Sequence, residues 1–67
     1  MATTQNPTVF DIKPGDIIAL TDHKGREESV VVTRAHEHDS VMHLTDQTGW
    51  THSVYPNTRF RYIHRAR

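Results

Sequence analysis

Six histidines stand in 67 residues: His23, His36, His38, His43, His52 and His64. Neutral imidazole is a common zinc ligand, and three of them on adjacent strands can build a tetrahedral site with one position open. No cysteine accompanies them, and neither an HExxH pair nor a spacing specific to structural zinc is present. A metal row would require His36, His43 and His52 on one face, which only one strand register allows.

The second chemical signal lies at the end of the chain. Arg59-Phe60-Arg61-Tyr62-Ile63-His64-Arg65-Ala66-Arg67 interleaves cations and rings, the combination that nucleic-acid surfaces use for phosphates and bases. Residues 58–67 carry four arginines and no acid, whereas residues 1–57 carry four basic residues against all eight acids. The chain as a whole has zero net charge and a pI near 7, well below the basic footprint of a dedicated nucleic-acid domain. With Phe60 and Tyr62 pointing inward, Arg59, Arg61, Arg65 and Arg67 would face solvent and keep an edge strand unpaired.

Trp50, the single tryptophan, follows a tight turn. Exposed Trp, Tyr and Arg concentrate binding energy at protein interfaces, and Trp50, Tyr55 and Pro56 are expected to form one patch. Catalytic signals are absent: there is no cysteine, Ser29, Ser40 and Ser53 lie in no nucleophile-elbow pattern, and Gly15, Gly25 and Gly49 are too far apart for a phosphate-binding loop. The acidic pairs Glu27-Glu28 and Glu37-x-Asp39 sit in or beside turns, where solvated charge is the default.

The elements that position these residues are short and alternate with turns. Strands are predicted over 16–21, 28–37, 41–45, 50–55 and 59–64, with no sustained helical period. Val30-Val31-Val32 favours a pleated surface and disfavours a helix. Lys13-Pro14-Gly15-Asp16, His23-Lys24-Gly25-Arg26, His38-Asp39-Ser40 and Asp46-Gln47-Thr48-Gly49 supply the turns. Pro56-Asn57-Thr58 predicts one turn of 3-10 helix before the last strand. Residues 1–12 are expected to be a flexible arm and residues 13–67 the folded domain.

Register decides the histidine question. A four-residue loop over Asp46–Gly49 would set His43 opposite His52. A type I turn with a G1 bulge, its loop Gln47-Thr48-Gly49, sets Leu44 opposite His52 and Met42 opposite Val54. Opposite residues share a face, so only the second register gathers Met42, Leu44 and Val54 toward the core. It turns His52 inward near the rim and His43 outward with Thr51 and Ser53, while His36 and His38 flank a turn. The expectation is therefore no metal site and no cofactor.

Three pieces of turn chemistry carry a resemblance to small SH3-like barrels: Pro14-Gly15-Asp16 before the first strand, the Asp46–Gly49 hairpin, and Tyr55-Pro56-Asn57 before the last strand. It spans roughly residues 13–64 and extends equally to KOW- and Tudor-like barrels and to small barrels of bacterial and phage accessory proteins. The acidic loop and paired tryptophans of a proline-rich-peptide groove are not in this sequence. The resemblance implies an all-β, five-stranded SH3-like barrel.

Composition fits a small binding domain. A chain of this length buries only about 60% of its unfolded surface, and its apolar fraction of 34% leaves a lean core. No basic-then-apolar leader opens the sequence. Its longest run of consecutive aliphatic residues, Ile17-Ile18-Ala19-Leu20, is far short of the ~20 residues of a membrane span. The sequence-level reading is a soluble, cytoplasmic, non-catalytic protein-interaction module that binds a protein partner or itself. The alternative is a nucleic-acid-binding barrel using the C-terminal arginines.

Overall fold

The computed structural model describes residues 8–66 and is all-β. Its strands are β1 (Ile17–Thr21), β2 (Glu27–His38), β3 (Val41–Asp46), β4 (Thr51–Val54) and β5 (Phe60–His64). They form one antiparallel sheet in the order β4-β3-β2-β1-β5. β4 and β5 are its two edges and do not pair with each other, so the sheet is open and the expected closed barrel is not formed. No helix among the described residues is long and apolar enough to cross a membrane.

Two of the three hairpins use the same loop. Asp22-His23-Lys24-Gly25-Arg26 and Asp46-Gln47-Thr48-Gly49-Trp50 both place Asp five residues before the first residue of the returning strand, with glycine at φ +82 and +89. In each, the Gly N–H donates to the Asp carbonyl at 3.0 Å, and one Asp carboxylate oxygen accepts the main-chain N–H groups two and four residues on. This is a type I turn closed by a glycine bulge. The remaining hairpin has a two-residue loop in which Asp39 (φ 51) and Ser40 (φ 63) both adopt the left-handed region, the backbone of a type I′ turn.

β2 bends in the middle. Val32 faces Asp46 and Arg34 faces Thr45, so Thr33 is an extra residue. Its hydroxyl donates to the carbonyls of Thr45 (3.0 Å) and Asp46 (3.2 Å), which ties the bulge down. Before the bulge β2 pairs with β1; after it, β2 pairs with β3. The bend folds the two halves over one core of Val9, Ile12, Ile18, Val30, Val32, Met42, Leu44 and Val54, with Leu20, Ala35, Phe60 and Tyr62 packed against it.

The β3–β4 register is the bulged one: Met42 faces Val54, His43 faces Ser53 and Leu44 faces His52. Met42, Leu44 and Val54 are all buried. Two expectations are corrected. Residues 8–12 are not an arm: Val9–Asp11 is a single turn of 3-10 helix, and Val9 and Ile12 are 1% and 2% exposed. Thr8 caps it by accepting from Phe10 N–H (3.3 Å), and the Asp11 carboxylate accepts the Thr8 N–H (2.8 Å) in return. Residues 1–7 of the expected arm lie outside the described residues. Second, Pro56-Asn57 forms a plain turn closed by Thr58 N–H to the Tyr55 carbonyl (2.9 Å), and the 3-10 turn sits at the other end of the chain.

The buried Asp16 fastens the end of the chain to its beginning. One carboxylate oxygen accepts Lys13 N–H (2.9 Å) and the other accepts Ala66 N–H (2.7 Å). Gly15, at φ +96, has the Ala66 Cβ against it: a side-chain carbon there would lie 2.9 Å from it. Glycine is required both by the backbone conformation and by this close approach.

Candidate functional site

The histidines divide between two faces. His36 and His43 are directly opposite on β2 and β3, with ring centroids 6.5 Å apart, and His38 stands 6.4 Å from His36 on the same strand. Both lie within β2, His38 directly before the Asp39–Ser40 turn and His36 two residues earlier, and β3 brings His43 opposite His36. His52 is on the opposite face, away from that trio. No group of three or more His, Asp or Glu side chains among the described residues is arranged to hold a metal ion.

His52 instead serves the hairpin. Its Nε2 lies 2.8 Å from a carboxylate oxygen of Asp46, and both side chains are largely buried. Asp46 also accepts the Thr48 hydroxyl (2.5 Å) and the main-chain N–H groups of Thr48 (2.8 Å) and Trp50 (3.1 Å). These donors, the Thr48 hydroxyl first and His52 second, hold the Asp46 carboxyl far below the usual carboxylate range. An Asp–His pair can serve as a base, but no hydroxyl or thiol among the described residues is hydrogen-bonded to His52.

The C-terminal arginines are largely engaged. Arg61 makes a two-pronged contact with Glu27 across β1, at 2.9 and 3.1 Å. Each partner holds the other charged: the hydrogen bond to Arg61 lowers the Glu27 pKa, and the hydrogen bond to Glu27 raises that of Arg61. Arg65 lies over the Tyr62 ring, 4.4 Å from its centroid, a cation–π contact. Arg59 is exposed, and Arg67 lies outside the described residues. Phe60 and Tyr62 pack edge to face, 5.4 Å between centroids, against the core. The Tyr62 hydroxyl is buried with no hydrogen-bond partner among the described residues, and burial raises its pKa.

Trp50 is 69% exposed and Tyr55 53%. They flank the four residues of β4 from opposite ends, which at about 3.4 Å per residue sets them roughly 17 Å apart. Tyr55 and Pro56 are therefore neighbours of each other, and the expected single patch with Trp50 is not formed.

Trp50 has other company. A cleft of about 500 Å³ lies between β2 and the β3–β4 loop, lined by Glu28, Ser29, Val31, Asp46, Thr48 and Trp50 among others. A second cleft of about 220 Å³ lies where the open sheet leaves a gap between Leu20, Thr21 and Asp22 on one side and His52, Val54 and Thr58 on the other. Glu28 lines both. The titratable lining is Glu28, Asp46, Asp22 and His52, with no Lys or Arg. Asp46 is occupied as described, and Asp22 is taken by Lys24 N–H, Arg26 N–H and the Arg26 guanidinium. The Glu28 side chain has no hydrogen bond or ion pair among the described residues. Compared with protein-family models, curated proteins and solved structures, the chain matches none.

Glu28 is the residue that sequence reasoning passed over, having grouped it with Glu27 as solvated charge. The signal was available: counting in steps of two along β2 places Glu28 in the inward row with Val30 and Val32, and Glu27 in the outward row with Ser29 and Val31. A carboxylate at the end of an inward row sits where the core opens to solvent.

Proposed function

We propose that this chain is a non-catalytic protein-interaction module, its open sheet following the strand order of an SH3-like barrel, that engages a protein partner beside Trp50. The observation that carries the reading is the 69% exposure of Trp50 on the rim of a cleft. Tryptophan is among the residues most enriched at binding hot spots, and this one stands beside an open cleft. An accessory protein of the bacterial or phage kind, working through its partner, fits this reading.

The C-terminal strand supports nucleic-acid binding less well. Its two rings pack on the core rather than standing free for bases, and Arg61 and Arg65 already have partners. The test is capture from host lysate with and without nuclease, using wild type and Trp50→Ala. The expected result is a captured protein that survives nuclease and is lost with Trp50→Ala, while the thermal melt is unchanged. Capture that nuclease abolishes, or that Trp50→Ala leaves intact, overturns the proposal.

A further inference from the structure

One wall of the cleft beside Trp50 is a strand edge with its main-chain groups unpaired. Val32 N–H donates to the Asp16 carbonyl at 2.9 Å, and Ile17 faces Val31. Hydrogen-bonded and non-hydrogen-bonded pairs alternate along an antiparallel ladder. Glu28, Val30 and Val32 therefore aim their main-chain groups at β1, and Glu27, Ser29 and Val31 aim theirs away from it. On that far side β3 covers β2 only from Val32 onward, where Val32 faces Asp46. Beyond that point the chain of β3 turns off into the hairpin loop. The N–H and C=O of Ser29 and the N–H of Val31 are left facing the cleft, with no strand opposite them among the described residues.

We propose that the cleft accepts one extended peptide segment of a partner as an added strand against Glu27–Val31, and that this segment carries Lys or Arg. The proposal rests on the protein-binding reading and names the class of partner. Main-chain pairing supplies the fit: an extended segment completes the ladder that β3 abandons, with Trp50 as the opposite wall. Strand addition of this kind derives affinity from main-chain hydrogen bonds and specificity from alternate side chains. The charge of the cleft supplies the chemistry. Its lining holds carboxylates and no Lys or Arg, and Glu28 is the carboxylate whose side chain has no partner among the described residues. A cationic side chain there meets Glu28 and reaches the electron-rich face of Trp50. A phosphate backbone would meet like charge.

The test uses the whole chain, isotope-labelled, and a panel of capped heptapeptides in which Val alternates with Lys, Arg, Ser or Glu. Binding is followed by Trp50 fluorescence and by the amide resonances and hydrogen exchange of Ser29 and Val31. Basic members are expected to titrate saturably and to slow exchange at both amides. Glu members, and basic members N-methylated at alternate residues, are expected not to bind. Glu28→Gln is expected to weaken the basic peptides about two- to fivefold, the range of a solvent-accessible ion pair. No member shifting the Ser29 and Val31 amides at millimolar concentration overturns strand addition, as does Trp50 quenching without any change at those amides. A dimer that protects both amides without peptide assigns the edge to a second copy and also overturns it. Trp50-dependent capture of a lysate protein together with a silent peptide panel refutes strand addition while leaving the protein-binding reading standing. Capture indifferent to Trp50→Ala refutes that reading itself.

Discussion

Removing residues 1–12 is expected to unfold the domain. Val9 and Ile12 are 1% and 2% exposed and join β1 through β4 in one core. Full burial of a Val or Ile side chain stabilises by about 1.5–3 kcal/mol, so the two together contribute about 3–6 kcal/mol. A domain of 67 residues, at about 0.05–0.15 kcal/mol per residue, has only about 3–10 kcal/mol in total. The loss is thus comparable with the whole stability. Ile12→Ala is the graded version: it should cost about 2–5 kcal/mol, and each kcal/mol should lower Tm by about 4–8 °C in a domain this small. Urea and thermal melts followed by circular dichroism measure both. A 13–67 fragment whose melt is cooperative with the midpoint of the full chain would refute the reasoning. It would mean that the 3-10 turn merely rests on a core complete without it.

Ser40→Gly should stabilise the protein by about 0.5–1 kcal/mol, because Ser40 is held at φ 63 where only glycine is unpenalised; urea melts decide. Tyr62→Phe should be neutral or stabilising by up to about 1 kcal/mol, since it removes a buried hydroxyl with no partner; a drop in Tm would show that the hydroxyl is satisfied. Asp46 has a folded-state pKa depressed below its unfolded value, so its contribution is complete above about pH 4 and is lost as pH falls further. Asp46→Asn should therefore lower stability at pH 7 and flatten its dependence on pH below about 4, read from melts across that range.

Local chemistry was legible in the sequence wherever a few residues decide a geometry alone. The register of β3 and β4 followed from one glycine and three apolar side chains: Gly49 in the left-handed position forces the bulge, and the bulge gathers Met42, Leu44 and Val54. The 3-10 turn was missed because Val9 and Ile12 form a pair too short to show a period. Yet Thr8-x-x-Asp11 is the spacing of a capping box, and an apolar pair three residues apart is one face of one such turn. Closure was not legible for a different reason. Alternation says which side chains face inward, but whether β4 and β5 meet depends on the summed bend and twist of five strands.

The site was half legible for the same reason. Exposure of a large ring beside a tight turn is local, so Trp50 could be singled out. Its neighbours are set by where β3 leaves β2, which depends on the bulge at Thr33. The cleft exists because β3 ends at Asp46 and the chain turns off into the hairpin loop. β2 runs on past that point to Glu27, so the main-chain groups of Ser29 and the N–H of Val31 have no strand opposite them among the described residues. Three of the four carboxylates around this region are committed to loops or to Arg61, each by hydrogen bonds that hold it ionised. Glu28 has no such commitment, although it stands at the junction of both clefts. The stretch of β2 that β3 leaves uncovered and the carboxylate left unused thus fall at one place, the end of β2 beside Trp50.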